Sequence, residues 1–180
     1  MKAPILTTKR LILKPLSISH LSQEYVDWLN DSEVYKFLDS GGDYTLEKLQ
    51  EYIQAVIQKD IFFWGIHIRN TGQHIGNIKI DPINHRHGLG EYGIMMGEKS
   101  EWGKGYAKES SLKAIDFCFT ELNIRKLTLG VVSDNTSAVH LYKKIGFIKE
   151  GIFKKHCLYQ GEYYDIIKMA IFNQKFTYCC

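Results

Sequence analysis

Cysteine is scarce in this 180-residue chain, at four positions, and two of those are the adjacent Cys179 and Cys180. With no CxxC pair there is no basis for a disulfide framework or a zinc ribbon, and a reduced cytoplasmic protein is expected. No apolar run approaches the roughly 18 residues of a membrane span. The N-terminus also lacks the ~7–15-residue apolar stretch of a signal peptide, so neither membrane insertion nor export by that route is expected. Proline occurs only three times, and low-complexity tracts and solenoid-length repeats are absent. The net charge is only +3, from 23 Lys and Arg set among 20 Asp and Glu. Without a basic stripe, a dedicated nucleic-acid surface is not expected. Lys143-Lys144 and Lys154-Lys155 are simply solvated faces. Two phosphate-binding strings are missing as well. GxxxxGK[ST] occurs nowhere, and GxGxxG fails from Gly103 because its sixth position is Lys108.

What is present suits one soluble domain spanning residues 1–180, with 44% hydrophobic and 24% charged residues. Residues 10–16 alternate, with Leu11 and Leu13 on one face, and predict a strand. Ser19 is placed to cap a helix carrying Leu21, Tyr25 and Leu29, and 34–38 a further short turn of helix. Residues 39–43 form a loop, after which Thr45 caps a second amphipathic helix through Leu49, Ile53 and Val56. Strands at 62–69 and 74–81 flank the turn Asn70-Thr71-Gly72. A polar loop at 82–90 and a strand at 91–96 follow. A helix over 106–122 has Leu112, Ile115, Phe119 and Leu122 on its apolar face. Further on come a strand at 126–132, a helix at 136–145 and two last strands near 147–153 and 163–172. The β–loop–α–β unit from Glu91 to Val132 predicts a parallel pair. The fold class is therefore α/β: a mixed, mostly antiparallel sheet flanked by helices.

Between the fourth predicted strand and its helix lies Trp102-Gly103-Lys104-Gly105-Tyr106-Ala107. Glycines let a backbone turn tightly and approach a ligand closely. The first amides of a helix lack internal partners and sit at its positive end, which suits an anion such as a pyrophosphate. A plain Gly-rich turn before a helix is the alternative.

This stretch resembles the pyrophosphate loop of the GNAT (Gcn5-related) N-acetyltransferases, [Gln/Arg]xxGx[Gly/Ala]. Trp102 takes the first position, and Gly105 and Ala107 the last two conserved ones. Trp departs from the general pattern, but WGKGYA followed by Glu109 is similar to the RimJ/RimL-like branch. Downstream, Asn135, Tyr142, Lys144, Gly146 and Phe147 lie in a stretch resembling the family's N-x-x-[SA]-x-x-x-[YF]-x-[KR]-x-GF. The resemblance runs from Thr8 to Asp165, nearly the whole chain. It implies a six- to seven-stranded sheet with a V-shaped split between two central parallel strands. Acetyl-CoA is the implied co-substrate, with no metal.

The resemblance also assigns roles. The backbone of Ile94, Met95 and Met96 would pair with the pantetheine arm, and an amide near Met96 would polarise the thioester carbonyl; the side chains of Met95 and Met96 belong to the core. Gly103, Lys104, Gly105, Tyr106, Ala107 and Lys108 would hold the pyrophosphate, although Lys104, Lys108 and Lys144 also suit plain solvated positions. Asn135 would bond the pantetheine, or cap the helix it precedes, or both. Tyr142 would protonate the leaving thiolate; its alternative is aromatic packing. Glu91 is the candidate general base, its alternative a surface position at a strand end. His140 reads as a surface or partly buried side chain. His85-Arg86-His87 matches no zinc spacing and reads as a loop that lines the acceptor pocket.

The acceptor is a primary amine. The RimJ/RimL resemblance favours a protein N-terminal amine. Small amines, namely nucleotide-linked amino sugars, polyamines and aminoglycosides, form the alternative, and segment 76–84 is similar to amino-sugar acetyltransferases. Trp28, Phe62, Phe63 and Trp64 are candidate walls of an acceptor pocket, with core packing the alternative for most of them. No dense acidic cluster for a polyamine stands out near the N-terminus. A non-catalytic acyl-CoA sensor would be expected to lose Tyr142 or the Gly loop, and both are present. The chain is expected to be a monomer or homodimer.

Overall fold

The computed structural model describes residues 3–39, 41–59, 61–159 and 161–176. Its strands are β1 (Leu6–Thr7), β2 (Leu11–Pro15), β3 (Phe62–Ile68), β4 (His74–Asn84), β5 (Leu89–Met96), β6 (Lys126–Val132), β7 (Ile148–Tyr159) and β8 (Glu162–Phe172). They form one sheet in the order β1-β2-β3-β4-β5-β6-β8-β7. The β5–β6 pair is parallel, with Leu89 opposite Lys126 and Glu91 opposite Thr128. That ladder ends at Glu91, five residues before β5 does. The pairs β1–β2, β2–β3, β3–β4, β6–β8 and β7–β8 are antiparallel. The expected mixed sheet is present, with the two-residue β1 bringing the strands to eight. The helices are α1 (Gln23–Asn30), α2 (Ser32–Tyr35), α3 (Leu46–Ile57), α4 (Tyr106–Thr120) and α5 (Thr136–Lys144).

The chain forms two compact units. One takes the residues up to Ile80 together with Gly93–Lys113; the other takes Asp81–Tyr92 and the residues from Ala114 onward.

In the first unit, α1 and α3 bury Tyr25, Val26, Trp28, Leu29, Leu49, Ile53 and Val56 together with Leu16 and Phe63. Eight residues make α1 too short to persist alone in water, so this apolar face, at roughly 1.5–3 kcal/mol per large buried side chain, holds it. Thr45 caps α3 by accepting from the Lys48 amide at 3.3 Å, as its sequence predicts. Ser22, not Ser19, caps α1, accepting from the Tyr25 amide at 3.2 Å. Ser19 instead sits in a 3₁₀ turn, Ile18–His20, whose Ser17 amide bonds His20 Nδ1 at 3.1 Å. The four aromatics proposed as pocket walls are all core: Trp28 is 7% exposed, Phe62 3%, Phe63 7% and Trp64 0%. Trp64 gives its indole N–H to the Pro4 carbonyl at 2.7 Å.

A buried imidazole cluster is also part of this unit. His20, His67 and His74 stand with ring centroids 4.9–5.1 Å apart. Burial first, then the neighbouring imidazoles, push His67 down to about 4 and His74 to about 3. Burial also lowers His20, helped by Lys14 and opposed by a bond to the Ser17 backbone. All three rings are therefore neutral at pH 7.

In the second unit, β6, β8 and the latter half of α4 bury Ile115, Phe117, Cys118, Leu127, Leu129 and Met169. In the first half of α4, which belongs to the first unit, Leu112, expected on the apolar face, is 43% exposed. The small Ser110 and Ser111 are buried instead, and their hydroxyls bond the carbonyls of Tyr106 and Ala107 one turn back. Such back-bonding removes the cost of burying a hydroxyl. The polar loop expected at 82–90 shrinks to residues 85–88, because β4 runs on through a cis Asp81–Pro82 bond. A strand admits proline where its missing N–H is not needed by the ladder. In the β7–β8 turn, Gly161 has φ +82°, while Gln160, the other residue of that expected turn, lies outside the described residues. No helix among the described residues is long and apolar enough to cross a membrane.

Candidate functional site

The first unit carries the Gly-rich loop. It does not follow β5 directly: residues 97–105 intervene, with a 3₁₀ turn at Lys99–Glu101. Gly97 has Trp28 lying over it, so any Cβ there would overlap the indole ring. The Gly97 and Glu98 amides both donate to the Ile75 carbonyl, at 3.0 and 3.2 Å, which ties the loop to β4. Trp102 then gives its indole N–H to the Met96 carbonyl at 3.0 Å and closes the loop back on β5. Lys99 bridges Asp31 at 2.6 Å and Glu33 at 2.7 Å, binding the loop to α2.

Gly103 and Gly105 have φ of +76° and +82°, a backbone region that costs a side-chain-bearing residue roughly 1–2 kcal/mol. With those two kinks the chain enters α4 at Tyr106. The Glu109 amide makes the first bond of the helix, to Gly105 O at 3.1 Å. The amides of Gly105, Tyr106, Ala107 and Lys108 precede it, at the positive end of the dipole. Lys104 pairs with Glu101 at 2.9 Å, so its ammonium is engaged locally. Lys108 is half-buried in the first turn. Glu109, in the same turn, accepts from Thr8 Oγ1 at 2.6 Å and from the Arg10 amide and Nε at 2.9 and 2.6 Å. Burial would raise this carboxyl; the hydrogen bonds from Thr8 and Arg10 outweigh it and hold it below the usual carboxylate range. Ile94, Met95 and Met96 are half-buried at the end of β5, and Met95 also packs against the α1–α3 core.

The second unit carries Glu91, Asn135 and Tyr142. Successive residues of a strand face opposite sides of the sheet. Tyr92 is buried against Tyr142 and Phe147, with ring centroids at 6.0 and 5.7 Å. Its neighbour Glu91 therefore faces the side of β5 away from Tyr142. Glu91 is exposed and has Lys168 Nζ at 4.0 Å from its carboxylate. Tyr142 is 8% exposed, and burial pushes its hydroxyl up to about 12. It keeps its proton at neutral pH, and no hydrogen-bond partner holds that hydroxyl among the described residues. Tyr142 is thus an aromatic core ring that keeps its O–H. Asn135 caps α5: its side-chain oxygen accepts from the Ala138 amide at 3.2 Å and the Ser137 hydroxyl at 3.1 Å. That leaves the amide NH₂ as its donor. His140 is exposed and bonds only its own helix, at Thr136 O. His85, Arg86 and His87 form an exposed turn, and among the described residues no group of three or more His, Cys, Asp and Glu is set to hold a metal.

The mixed sheet with its one parallel pair is shared with known proteins. Residues 10–148 match the acetyltransferase (GNAT) domain model. The chain belongs to the GNAT acetyltransferase family. It is an N-acetyltransferase that uses acetyl-CoA as co-substrate. The uncharacterized N-acetyltransferase p20 of Bacillus licheniformis is 25% identical over 96% of this chain and 98% of that one. The spermidine N(1)-acetyltransferase of Vibrio cholerae is 35% identical over 57% of this chain and 58% of that one. A crystal structure of spermidine N-acetyltransferase from Vibrio cholerae in complex with CoA and spermine has a TM-score of 0.84 and 26% identity. It covers 93% of this chain and 98% of that one.

Gly97, Trp28, Thr8 and Arg10 escaped the sequence reading as parts of the loop's support. Gly97, directly after the cofactor strand, was the one local signal; Thr8 and Arg10 lie some 100 residues from the carboxylate they bond. The acidic character of the N-terminal helices was also missed. Nine of the twenty Asp and Glu fall within residues 19–60, against only three of the twenty-three Lys and Arg. They are dispersed in sequence, but Glu24, Asp27, Glu33, Asp43, Glu47 and Glu51 are all exposed on α1–α3 and their connections.

Proposed function

We propose that this protein transfers the acetyl group of acetyl-CoA to a primary amine of a small polycation of the polyamine class, in the cytoplasm, with the whole chain working as one catalytic domain. The observation that carries the acceptor class is the concentration of carboxylates on residues 19–60 of a chain that is otherwise basic. Such a surface lowers the energy of a polycation and repels an anionic nucleotide-linked sugar. The likeness to spermidine acetyltransferases points the same way.

The loop at Gly103, Lys104, Gly105, Tyr106, Ala107 and Lys108 suits the pyrophosphate, because its unpaired amides and helix dipole need no side chain to favour an anion. Bound there, acetyl-CoA supplies an activated thioester. The backbone of Ile94, Met95 and Met96 aligns the pantetheine arm, and one amide near Met96 polarises the carbonyl; one such donor is worth roughly 10²–10³ in rate. The Asn135 NH₂ donates to the pantetheine while its oxygen stays on the α5 cap. Glu91, on the opposite side of β5 from Tyr142, takes the proton of the attacking amine, directly or through water. The Tyr142 hydroxyl gives its proton to the departing thiolate.

A protein N-terminal amine is the second reading, favoured by the resemblance of Trp102 through Ala107, with Glu109, to the RimJ/RimL-like branch. Thiol release measured over polyamines, ribosomal N-terminal peptides and amino sugars separates the readings. Fast release with spermidine and none above background with the peptides is the expected result; the reverse order rejects the polyamine reading.

A further inference from the structure

Arg10 lies more than 90 residues before the Gly-rich loop, yet its side chain bonds that loop and the first turn of α4. Its Nη1 donates to the Lys104 carbonyl at 3.0 Å and its Nε to Glu109 at 2.6 Å. Its guanidinium carbon stands 4.5 Å from the centroid of the Tyr106 ring. A Cβ on Gly105 would come within 3.5 Å of Nη2, so the guanidinium runs alongside that glycine. Thr8, two residues earlier, binds the other oxygen of Glu109, and Arg10's own backbone amide binds it too. One side chain thus contacts Lys104, Tyr106 and Glu109 and runs beside Gly105.

We infer that Arg10 is a positioning residue for the cofactor: with Thr8 and Glu109 it fixes the left-handed turn of Lys104–Gly105 so that the loop amides point at the pyrophosphate. This rests on the acetyl-CoA reading of that loop. An isolated Arg–Glu pair whose arginine is 43% exposed is worth little. Here the pair is one part of a network that also fixes the Lys104 carbonyl. The Lys104 carbonyl is the group that must be held: were that peptide to flip, its oxygen would replace a donor at the anion. The guanidinium also offsets the Glu109 carboxylate, whose charge in the first helical turn would otherwise sit unneutralised near a second anion. Lysine cannot replace it, because a single ammonium does not span Glu109 and the Lys104 carbonyl with a planar fork.

The test compares acetyl-CoA with S-acetylpantetheine, which lacks the pyrophosphate, in wild-type protein and in Arg10→Ala, Arg10→Lys and Glu109→Gln. In the variants, KM for acetyl-CoA rises about ten- to hundredfold, the scale of losing charge-assisted hydrogen bonds, while kcat holds within a few-fold. The kcat/KM for S-acetylpantetheine changes less than twofold, and Arg10→Lys recovers little of the loss. Equal losses on both thioesters would make Arg10 a structural residue only and overturn the inference, as would an unchanged KM for acetyl-CoA. Should Arg10→Ala fail to fold, Arg10→Lys and Glu109→Gln carry the same comparison. Wild-type protein that does not discriminate between the two thioesters would instead reject the pyrophosphate reading of the loop.

Discussion

Residues 97–109 are specified by backbone: positive φ at Gly103 and Gly105, a glycine under Trp28, carbonyls held by Trp102 and Arg10. Residues 17–57 are specified by side chains: an apolar face that packs α1 and α3, and an outer face rich in carboxylates. The first kind of structure tolerates almost no substitution, because each position serves a particular dihedral or a particular close approach. The second tolerates many, provided apolar periodicity and net charge persist. The two regions meet at Trp28 over Gly97 and at Lys99 with Asp31 and Glu33, so substitutions elsewhere on the outer face of the helices leave the loop's own dihedrals in place.

The largest effect is expected in neither region but at Tyr142, the proposed proton donor. Tyr142→Phe keeps the packing against Tyr92 and Phe147 and removes the only proton donor assigned to the thiolate. Stopped assays should find kcat down roughly 10²-fold or more, with KM for acetyl-CoA changed little. Unchanged kcat would leave the residue as packing alone.

The backbone region breaks next. Gly105→Ala adds a Cβ with ordinary room beside Arg10 but in a left-handed dihedral costing roughly 1–2 kcal/mol. KM for acetyl-CoA should rise about tenfold without a comparable loss of thermal stability; an unaltered KM would show that the φ of this residue is not needed for the ligand. The side-chain region should respond more gently and to a different substrate. Neutralising Glu24 and Asp27 together, as Glu24→Gln with Asp27→Asn, should raise KM for spermidine several-fold and flatten its salt dependence, leaving KM for acetyl-CoA alone. Titration of KM against ionic strength checks this, and equal shifts for both substrates would argue against a charge-selected acceptor.

The smallest effect is on stability. His67 and His74 are held neutral when folded but take up protons near 6.5 when unfolded. The unfolded chain binds more protons between pH 6.5 and about 4, so stability is full above 6.5 and falls as pH drops through that window. Calorimetry should find Tm lower by several degrees at pH 5 than at pH 7, since about 1 kcal/mol corresponds to ~2–4 °C in a chain of this size. A Tm that rises on acidification would contradict the neutral cluster.

The same contrast explains how much was legible in advance. Order and type of the main elements followed from apolar periodicity, and the kinked turn before α4 from a short glycine-rich string. Boundaries failed where two signals competed. Ser19 and Ser22 are equally good caps, and only the 3₁₀ turn anchored on His20 selects the second. Pro82 looked like the end of a strand that in fact continues. Trp28, Phe62, Phe63 and Trp64 advertised a pocket and are core, because aromatic character alone does not say which side of a sheet is filled. Thr8 and Arg10 were invisible as loop residues, since no periodicity relates positions a hundred residues apart. The carboxylates of α1–α3 went unrecognised for a simpler reason: helical spacing scatters them in sequence.

Incubation of the protein with acetyl-CoA and spermidine, followed by mass spectrometry of the polyamine alongside thiol release, tests the central claim most directly. The account predicts one acetyl group gained per thiol released, at a rate that collapses in Tyr142→Phe. Thiol release without acetylated spermidine, or acetylation of ribosomal N-terminal peptides in its place, would contradict the acceptor. Tight acetyl-CoA binding with no transfer to any amine would contradict the enzyme itself.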